Sequence, residues 1–328
     1  LANALPEEIV FTSGATESNN LLFLGVLLSP LQERRQIAVS AIEHKSVLEP
    51  ARLLQERGFE LIELPVDKNG AVDLNEAARL ITPRCLLVSV QAANNEIGTI
   101  QPIAELARLA HDNGAYFHSD AAQALGRIPF DVLKINCDFA SFSAHKLYGP
   151  KGIGALFVRG GARCWPWVRP FRGGGQEADL RPGTLNVPAI VGFGEACKIA
   201  QSSTDERMLA EAQKQDFEVQ KALVAFFPEA VIHAKTAARI PGVISAAFPK
   251  IPADFLVDSL HKLVISRGSA CSSHAISPSH VLMQIGCSPD VSQSTVRFSL
   301  GKNVVMSDVY HGLEYIRDSL SKLTTIKG

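Results

Sequence analysis

The sequence lacks several patterns that define whole classes of protein. Its six cysteines are scattered: no two are spaced as Cys-x-x-Cys, and none stands beside histidines at a metal-ligand spacing. We therefore expect neither a disulfide framework nor a bound metal ion. Cysteines used in this way fit a reducing compartment, so the expected location is the cytoplasm.

An excess of charge and long apolar runs are missing as well. The chain has 32 Lys plus Arg against 33 Asp plus Glu, so no overall charge favours nucleic acid or an anionic membrane. Its longest wholly apolar run, residues 21–28, is far shorter than the ~20 residues of a membrane span. The five arginines from Arg159 to Arg181 are a local exception, compatible with an anion or partner site or with a solvated loop. We expect no direct contact with nucleic acid and no membrane insertion.

What the sequence contains is a regular alternation of short apolar runs and helical segments. Strand-like runs such as residues 37–42 and 85–91 are each followed by a helical pattern, with Asp73 a plausible helix N-cap and Gly114 a helix stop. This alternation predicts an α/β domain over residues 1–203, with a mostly parallel sheet wrapped by helices. Residues 204–328 predict a smaller C-terminal α+β domain.

Polar side chains follow several of the predicted strands. In open α/β sheets ligands bind at the carboxyl ends of the strands. The segment TSGATES at residues 12–18 leads from a strand into a helix, and backbone N–H groups at such a helix start can bind phosphate. The other polar residues at strand ends are His44, Asn94, Asn95, Glu96, Asp120, Gln123, Ser143, His145 and Lys146. Each of these features alone also has an ordinary structural explanation.

Considered together, these residues favour one cofactor. A lysine at a desolvated strand end can form a Schiff base, and a carboxylate is what a pyridinium nitrogen requires. A helix start is what a phosphate requires. Pyridoxal 5′-phosphate is the cofactor that needs all three groups.

Nine motifs carry a more specific resemblance: TSGATESNN, EHK, NNEIG, HSDAAQ, SFSAHKLYGPKGIGAL, GGGQE, RPGTLNVP, GSACSS and VRFSLG. In this order, and over nearly the whole chain, they resemble the group I cysteine desulfurases. These are fold-type I pyridoxal phosphate enzymes related to class V aminotransferases, with a sheet of the seven-stranded type. The resemblance implies removal of sulfur from L-cysteine, which leaves L-alanine and an enzyme persulfide.

The resemblance also implies roles for residues around the cofactor. Lys146 would form the Schiff base, and Asp120 would hold the pyridine nitrogen protonated. Gln123 and Asn95 would contact the ring hydroxyl, with Asn95 also near the substrate, and His44 would stack on the ring and act as acid and base. The phosphate would be bound by Ala15, Thr16, Ser143 and His145, and by Thr184 of the neighbouring subunit in a homodimer.

Two further residues would act on the substrate. Arg297 would bind the substrate carboxylate as a bidentate partner. Cys271 would be the nucleophile that takes up the sulfur, because its serine and glycine neighbours are typical of a segment that moves. The persulfide would pass to an acceptor protein, either an iron–sulfur scaffold or a carrier for thiolation of tRNA or DNA.

The chain departs from the family pattern in three places. We expect an N-terminal family segment to be missing, including an Ala-Thr-Thr sequence, which would affect cofactor retention, and the tail to end slightly early. Arg267 replaces a small residue just before the segment of Cys271. Three alternatives stay open: a cysteine or selenocysteine lyase, a class V aminotransferase, or a non-catalytic sulfur-relay scaffold.

Overall fold

The computed structural model describes residues 1–29, 33–165, 169–201, 205–267 and 278–326, with side chains up to residue 321. The chain forms two compact units. Unit 1 comprises Leu1–Val66, Ala71–Asn94 and Gln101–Asp205, and unit 2 comprises Asp67–Gly70, Asn95–Ile100 and Glu206–Gly328. No helix in the described ranges is both long and apolar enough to cross a membrane.

Unit 1 is an alternation of strands and helices, as the sequence predicts. Its elements are β1 (Ile9–Thr12), α1 (Ala15–Leu28), β2 (Gln36–Ser40), α2 (Lys45–Glu56), β3 (Glu60–Leu64), α3 (Leu74–Leu80), β4 (Cys85–Ser89), α4 (Ile103–Asp112), β5 (Tyr116–Asp120), α5 (Val132–Ile135), β6 (Phe139–Ser143), β7 (Gly154–Val158) and α6 (Val187–Gln201). The seven strands form one sheet in the order β1-β7-β6-β5-β4-β2-β3.

The sheet is parallel except at β7. Strands β3, β2, β4, β5 and β6 pair in parallel, whereas β7 is antiparallel to both of its neighbours. Ile37 and Val39 of β2 belong to one apolar cluster and Ala38 to another. Because successive strand side chains point to opposite faces, the two clusters cover opposite faces of the sheet. This confirms the predicted mostly parallel sheet buried between helices.

Local signals in the sequence explain several helix boundaries. Asp73 caps α3, since its carboxylate accepts hydrogen bonds from the backbone N–H groups of Asn75 and Glu76. Gly114 follows the end of α4 with a φ of 70°, a conformation that suits glycine. Helix α1 begins at Ala15, and Gly14 occupies its N-cap without a side-chain hydrogen bond to the helix.

Unit 2 contains an antiparallel sheet in the order β10-β11-β9-β8. Its elements are α7 (Glu206–Phe226), β8 (Val231–Ile232), β9 (Val243–Ala247), α8 (Ala253–Ser259), β10 (Ser266–Arg267), α9 (His280–Gln284), α10 (Pro289–Gln293), β11 (Thr295–Ser299) and α11 (Met306–Ile326). Two short segments from earlier in the chain pack with it. The Ile240 backbone N–H donates a hydrogen bond to the Gly98 carbonyl at 2.9 Å, and the Thr236 hydroxyl donates one to Asn69 Oδ1 at 2.8 Å. The predicted division into 1–203 and 204–328 does not include these two segments in the smaller domain.

Candidate active site

The turn between β1 and α1 forms the first part of the candidate site. Gly14 lies at the N-cap of α1 and offers no side chain to cap the helix. A Cβ placed on Gly154 would lie 2.5 Å from the Gly14 Cα, so glycine at 154 permits this turn to approach the sheet. Ser143 lies close by, because its Oγ is 3.7 Å from the position a Gly14 Cβ would take. Ala15 and Thr16, the first residues of α1, therefore start a helix beside Ser143, which suits an anion.

The next strand end carries a buried carboxylate. Asp120 ends β5, is 7% exposed, and accepts hydrogen bonds from Asn19 Nδ2 at 2.8 Å and from the Ala122 backbone N–H at 3.0 Å. Among the described residues no lysine, arginine or histidine forms an ion pair with it. A buried carboxylate without a cation is costly unless a ligand supplies the positive charge. Gln123 follows in the turn after β5 and is half-buried.

A second buried acid, Glu43, lies near Asp120 in unit 1. Glu43 is fully buried at the end of the β2 segment, and its Oε1 accepts a hydrogen bond from the Gln91 backbone N–H at 2.6 Å. Burial raises the pKa of Glu43 well above its ordinary value, the hydrogen bond from Gln91 opposes the rise, and the charge of Asp120 adds to it.

His44 is the N-cap residue of α2. Its Nδ1 accepts a hydrogen bond from the Ser46 backbone N–H at 3.1 Å and lies 2.7 Å from Ser46 Oγ. The side chain of Asn19 donates to the same Ser46 hydroxyl at 2.8 Å. A chain of hydrogen bonds thus runs from His44 to Asp120 inside unit 1.

Strand β6 ends at Ser143 and leads into a 3-10 helix, Ala144–Leu147, that carries two of the predicted residues. Ser143 Oγ lies 2.8 Å from His145 Nδ1. Burial lowers the pKa of His145, and the neighbouring cations Lys146 and Lys151 lower it further. Lys146 itself is half-buried. The lysine and the proposed phosphate-binding serine therefore follow the same strand.

Two of the predicted residues that the structure describes, Asn95 and Arg297, belong to unit 2. Arg297 lies in the middle of β11, between β10 and β9, and its Nη1 donates a hydrogen bond to the Asn95 carbonyl at 2.9 Å. The structure thus brings Arg297 and Asn95 together within unit 2. Cys271, the predicted nucleophile, lies outside the described residues. Thr184 is described and exposed, in the segment before α6.

Sequence reasoning missed Asn19, Ser46 and Glu43. Asn19 lies in the motif TSGATESNN, Glu43 lies in EHK and Ser46 directly follows it, but the sequence analysis assigned no role to these three residues. A signal for Asn19 was present, since it is a polar residue one turn after Ala15 that precedes the apolar run of α1. Its partners could not be read from the sequence, because they lie on other elements of the sheet.

The arrangement fits pyridoxal 5′-phosphate. Asp120 is a carboxylate held by two donors and without a cation among the residues that the structure describes, Lys146 is an amine, and the start of α1 lies beside Ser143. These are the kinds of group that the ring nitrogen, the aldehyde and the phosphate of this cofactor require. The chain belongs to the aminotransferase class-V family, whose model matches residues 1–311. This is a family of pyridoxal phosphate enzymes.

Within this family the chain is most informatively compared with cysteine desulfurases. It is 40% identical over 329 residues to the cysteine desulfurase IscS of Ehrlichia chaffeensis, covering 98% of this chain and 78% of the relative. It is 39% identical to the human cysteine desulfurase over 318 residues, covering 96% of this chain and 68% of the relative. These similarities agree with the resemblance that the sequence motifs carry.

Solved structures give the same result. A NifS-like protein matches with a TM-score of 0.83 and 36% identity, over 97% of this chain and 83% of that one. SspA, solved in complex with cysteine, matches with a TM-score of 0.79 and 37% identity, over 93% of this chain and 84% of that one. The predicted fold class, with its seven-stranded, mostly parallel sheet, is confirmed.

Proposed function

We propose that this chain is a cysteine desulfurase that uses pyridoxal 5′-phosphate to convert L-cysteine to L-alanine and leaves a persulfide on Cys271. The observation that supports this best is the buried Asp120 carboxylate, held by two donors and without a cation in the described part of the chain, which is about 40% identical to cysteine desulfurases. The pyridinium nitrogen of the cofactor would supply the missing positive charge.

Within unit 1 we propose that Lys146 attaches the cofactor covalently and that Asp120 binds its ring nitrogen. Ala15, Thr16, Ser143 and His145 would bind its phosphate, and Gln123 would bind its ring hydroxyl. When bound, pyridoxal phosphate supplies an electron sink for the bonds at the substrate α-carbon.

His44 would stack against the cofactor ring and move protons to and from the substrate. We propose that Arg297 of unit 2 binds the substrate carboxylate through its guanidinium group. Asn95, whose carbonyl accepts a hydrogen bond from Arg297, would contact the ring hydroxyl and the substrate. The hydrogen bond between these two residues supports a shared role, since it fixes the guanidinium relative to the Asn95 backbone.

Cys271 would take up the sulfur. Its thiolate forms an S–S bond to the substrate sulfur while the substrate C–S bond breaks. The electron pair of that bond stays with the three-carbon fragment, which is protonated to give alanine. The outer sulfur of the persulfide would then pass to a thiolate of an acceptor protein, such as an iron–sulfur scaffold or a carrier for thiolation.

We also propose a homodimer, located in the cytoplasm. Helix α6 supports the dimer, because its apolar side chains Val187, Val191 and Ile199 are 58%, 66% and 55% exposed. An apolar surface of this kind commonly marks a protein interface. Thr184, just before α6, would then contact the phosphate bound in the neighbouring subunit, as the family resemblance implies.

The decisive experiment compares Cys271→Ala with the wild-type protein. We expect the variant to keep the visible absorption of bound pyridoxal phosphate and to lose alanine production from cysteine, because only the sulfur acceptor is removed. Cys164→Ala, which changes an exposed cysteine of unit 1, is the matched control and should retain both properties.

Two results would contradict the proposal. Sustained alanine production by Cys271→Ala would favour a lyase, which does not need this thiol. A wild-type protein that stays colourless with added pyridoxal phosphate would favour a non-catalytic scaffold.

A further inference from the structure

Three buried side chains of unit 1, Asn19, Ser46 and Asp120, form one hydrogen-bonded series with the half-buried His44. Asn19 of α1 is 0% exposed and lies between Asp120 of β5 and Ser46 of α2, at 2.8 Å from each. Ser46 in turn lies 2.7 Å from His44 Nδ1. The four residues come from three different elements, so the series exists only in the folded unit.

The donor and the acceptor of each bond in this series can be assigned. An ionised Asp120 can only accept, so the Asn19 amide must direct its nitrogen toward the carboxylate. The second N–H of the same nitrogen then points to Ser46 Oγ, which accepts it. The Ser46 hydroxyl proton is therefore available to His44 Nδ1.

The backbone supplies an independent check of this direction. The Ser46 N–H also points at His44 Nδ1, at 3.1 Å, and a backbone amide can only donate. Nδ1 must therefore be an acceptor in the neutral ring, and the ring proton must be on Nε2. Both observations give the same tautomer, which a hydrogen bond at one ring nitrogen is known to select.

We propose that Asn19 and Ser46 are positioning residues that join the Asp120 carboxylate to the His44 imidazole and hold the proton of the neutral ring on Nε2. This inference rests on the proposed function, in which Asp120 binds the cofactor and His44 moves the proton. The series gives the two groups a common orientation. In the neutral ring Nε2 then carries the proton and Nδ1 the lone pair, so Nε2 acts toward its surroundings as a hydrogen-bond donor.

The first test is a spectroscopic one on the protein without cofactor. In protein labelled with ¹⁵N-histidine, the nitrogens of His44 are identified by their absence from His44→Gln. We expect a pyrrole-type Nε2 and a pyridine-type Nδ1 at a pH where the ring is neutral. The opposite assignment would overturn the proposal, whether or not the protein is a desulfurase.

The second test asks whether Asn19 acts through Ser46. Ser46→Ala should move the Nδ1 resonance, since it removes the closer of the two donors. Asn19→Ala should move the same resonance, because the Ser46 hydroxyl loses the donor that orients it. Adding Asn19→Ala to Ser46→Ala should then cause no further movement at Nδ1. If Asn19→Ala left the Nδ1 resonance unchanged, or moved it by the same amount with and without Ser46→Ala, Asn19 would not act on His44 through Ser46.

Matched controls separate positioning from loss of structure. Ser119→Ala removes a buried hydroxyl of β5 that has no hydrogen-bond partner among the described residues, so His44 should not respond to it. Ser46→Thr retains the hydroxyl and should restore the wild-type Nδ1 resonance. Failure of Ser46→Thr to restore it, or an equal response to Ser119→Ala, would count against the proposal.

Kinetics of the loaded enzyme give a third readout. The loss of one net hydrogen bond predicts a fall in kcat of about 5- to 10-fold for Ser46→Ala, with the KM for cysteine nearly unchanged. Asn19→Ala should in addition weaken cofactor binding by about tenfold, because it removes a donor from Asp120. If the wild-type enzyme makes no alanine, the proposed function is wrong. The nitrogen spectra still test whether Asn19 and Ser46 fix the tautomer of His44.

Discussion

The two sheets of this molecule use their polar residues in different ways. In unit 1, the residues at or after the ends of parallel strands include His44, Asp120 and Ser143. His44 and Asp120 belong to one hydrogen-bond network that also contains the buried residues Asn19 and Ser46. In unit 2, Arg297 projects from the middle of an antiparallel strand. Parallel strands that end at one edge bring several polar groups together, whereas Arg297 lies within an antiparallel strand rather than at its end.

The two units also differ in the partners of their buried carboxylates. In unit 2, Asp216 pairs with Arg239 at 2.6 Å and also accepts from Gln220 and the Gly242 N–H, so this carboxylate is paired within the protein. In unit 1, Asp120 has only neutral donors among the described residues. A buried carboxylate paired with arginine has its charge balanced within the fold, whereas one without a cation is a candidate ligand site.

The largest expected effect is on Asp120. Replacing it by Ala should weaken pyridoxal phosphate binding by roughly 10²–10³-fold, because the cofactor cation would then be buried without a partner. Titration of the cofactor followed by visible absorption measures this. Asp73→Ala is the matched control, since it removes an exposed N-cap carboxylate of the same unit and should leave the affinity unchanged. If the Asp120 variant bound pyridoxal phosphate as tightly as the wild type, Asp120 would not be the partner of the cofactor cation. The contrast with the paired Asp216 would then have no functional meaning.

The second largest effect is expected for Arg297, and it should change the KM for cysteine without changing cofactor binding. Arg297→Ala should raise the KM for cysteine by about 10- to 100-fold, the range for one charge-assisted hydrogen-bonded pair, and leave cofactor absorption intact. Arg297→Lys should recover only part of the loss, because lysine cannot bind a carboxylate in bidentate fashion. A variant that loses the cofactor with an unchanged KM would contradict the substrate role.

The third prediction concerns pH and compares one buried histidine from each unit. Burial lowers the pKa of His118 in unit 1 to about 3, and burial lowers that of His233 in unit 2 to about 4. Both titrate near 6.5 in an unfolded chain. Below that pH the unfolded state binds more protons than the folded one, so stability must fall as the pH drops.

Each of these histidines contributes at most ~1.4 kcal/mol per pH unit to this loss. Urea unfolding at pH 7.5, 6.5 and 5.5 gives the slope of the free energy of unfolding against pH. We expect a shallower slope in His118→Asn and in His233→Asn than in the wild type. A slope that is the same in all three proteins would show that these rings do not carry the acid sensitivity. The comparison uses slopes, because His118→Asn also changes the contacts of the ring with Ser89 and Ser141.

The fold class and most of the strand ends were predictable from the sequence. The alternation of apolar runs and helical patterns gave the parallel sheet, and ligand sites in such sheets lie at strand ends, so Asp120, Ser143 and His44 could be selected. The reversal of β7 was not predictable. It depends on the connection between β6 and β7, which includes a 3-10 helix and is too short for a parallel crossover.

The hydrogen-bonded series through Asn19 and Ser46 was not predictable for a related reason. Asn19 meets a residue 27 positions away and another 101 positions away. Contacts of this range follow from the order of strands in the sheet, which no local pattern encodes. The same holds for the segments 67–70 and 95–100, whose packing in unit 2 left Asn95 in a different unit from Asp120.

The smallest expected effect is on Arg267, the charged residue at an unusual position of the family pattern. Its Nε lies 2.8 Å from Asp254 Oδ1, so the pair joins β10 to α8 within unit 2, but both side chains are nearly half exposed. Solvent screens such a pair, and we expect Arg267→Ala to cost at most ~1 kcal/mol of unfolding free energy. Asp254→Ala should cost a similar amount, and the double variant little more than either single one, as urea unfolding can measure. A loss of several kcal/mol would instead show that a half-exposed ion pair is essential to unit 2, and the contrast with the buried pair of Asp216 and Arg239 would no longer hold.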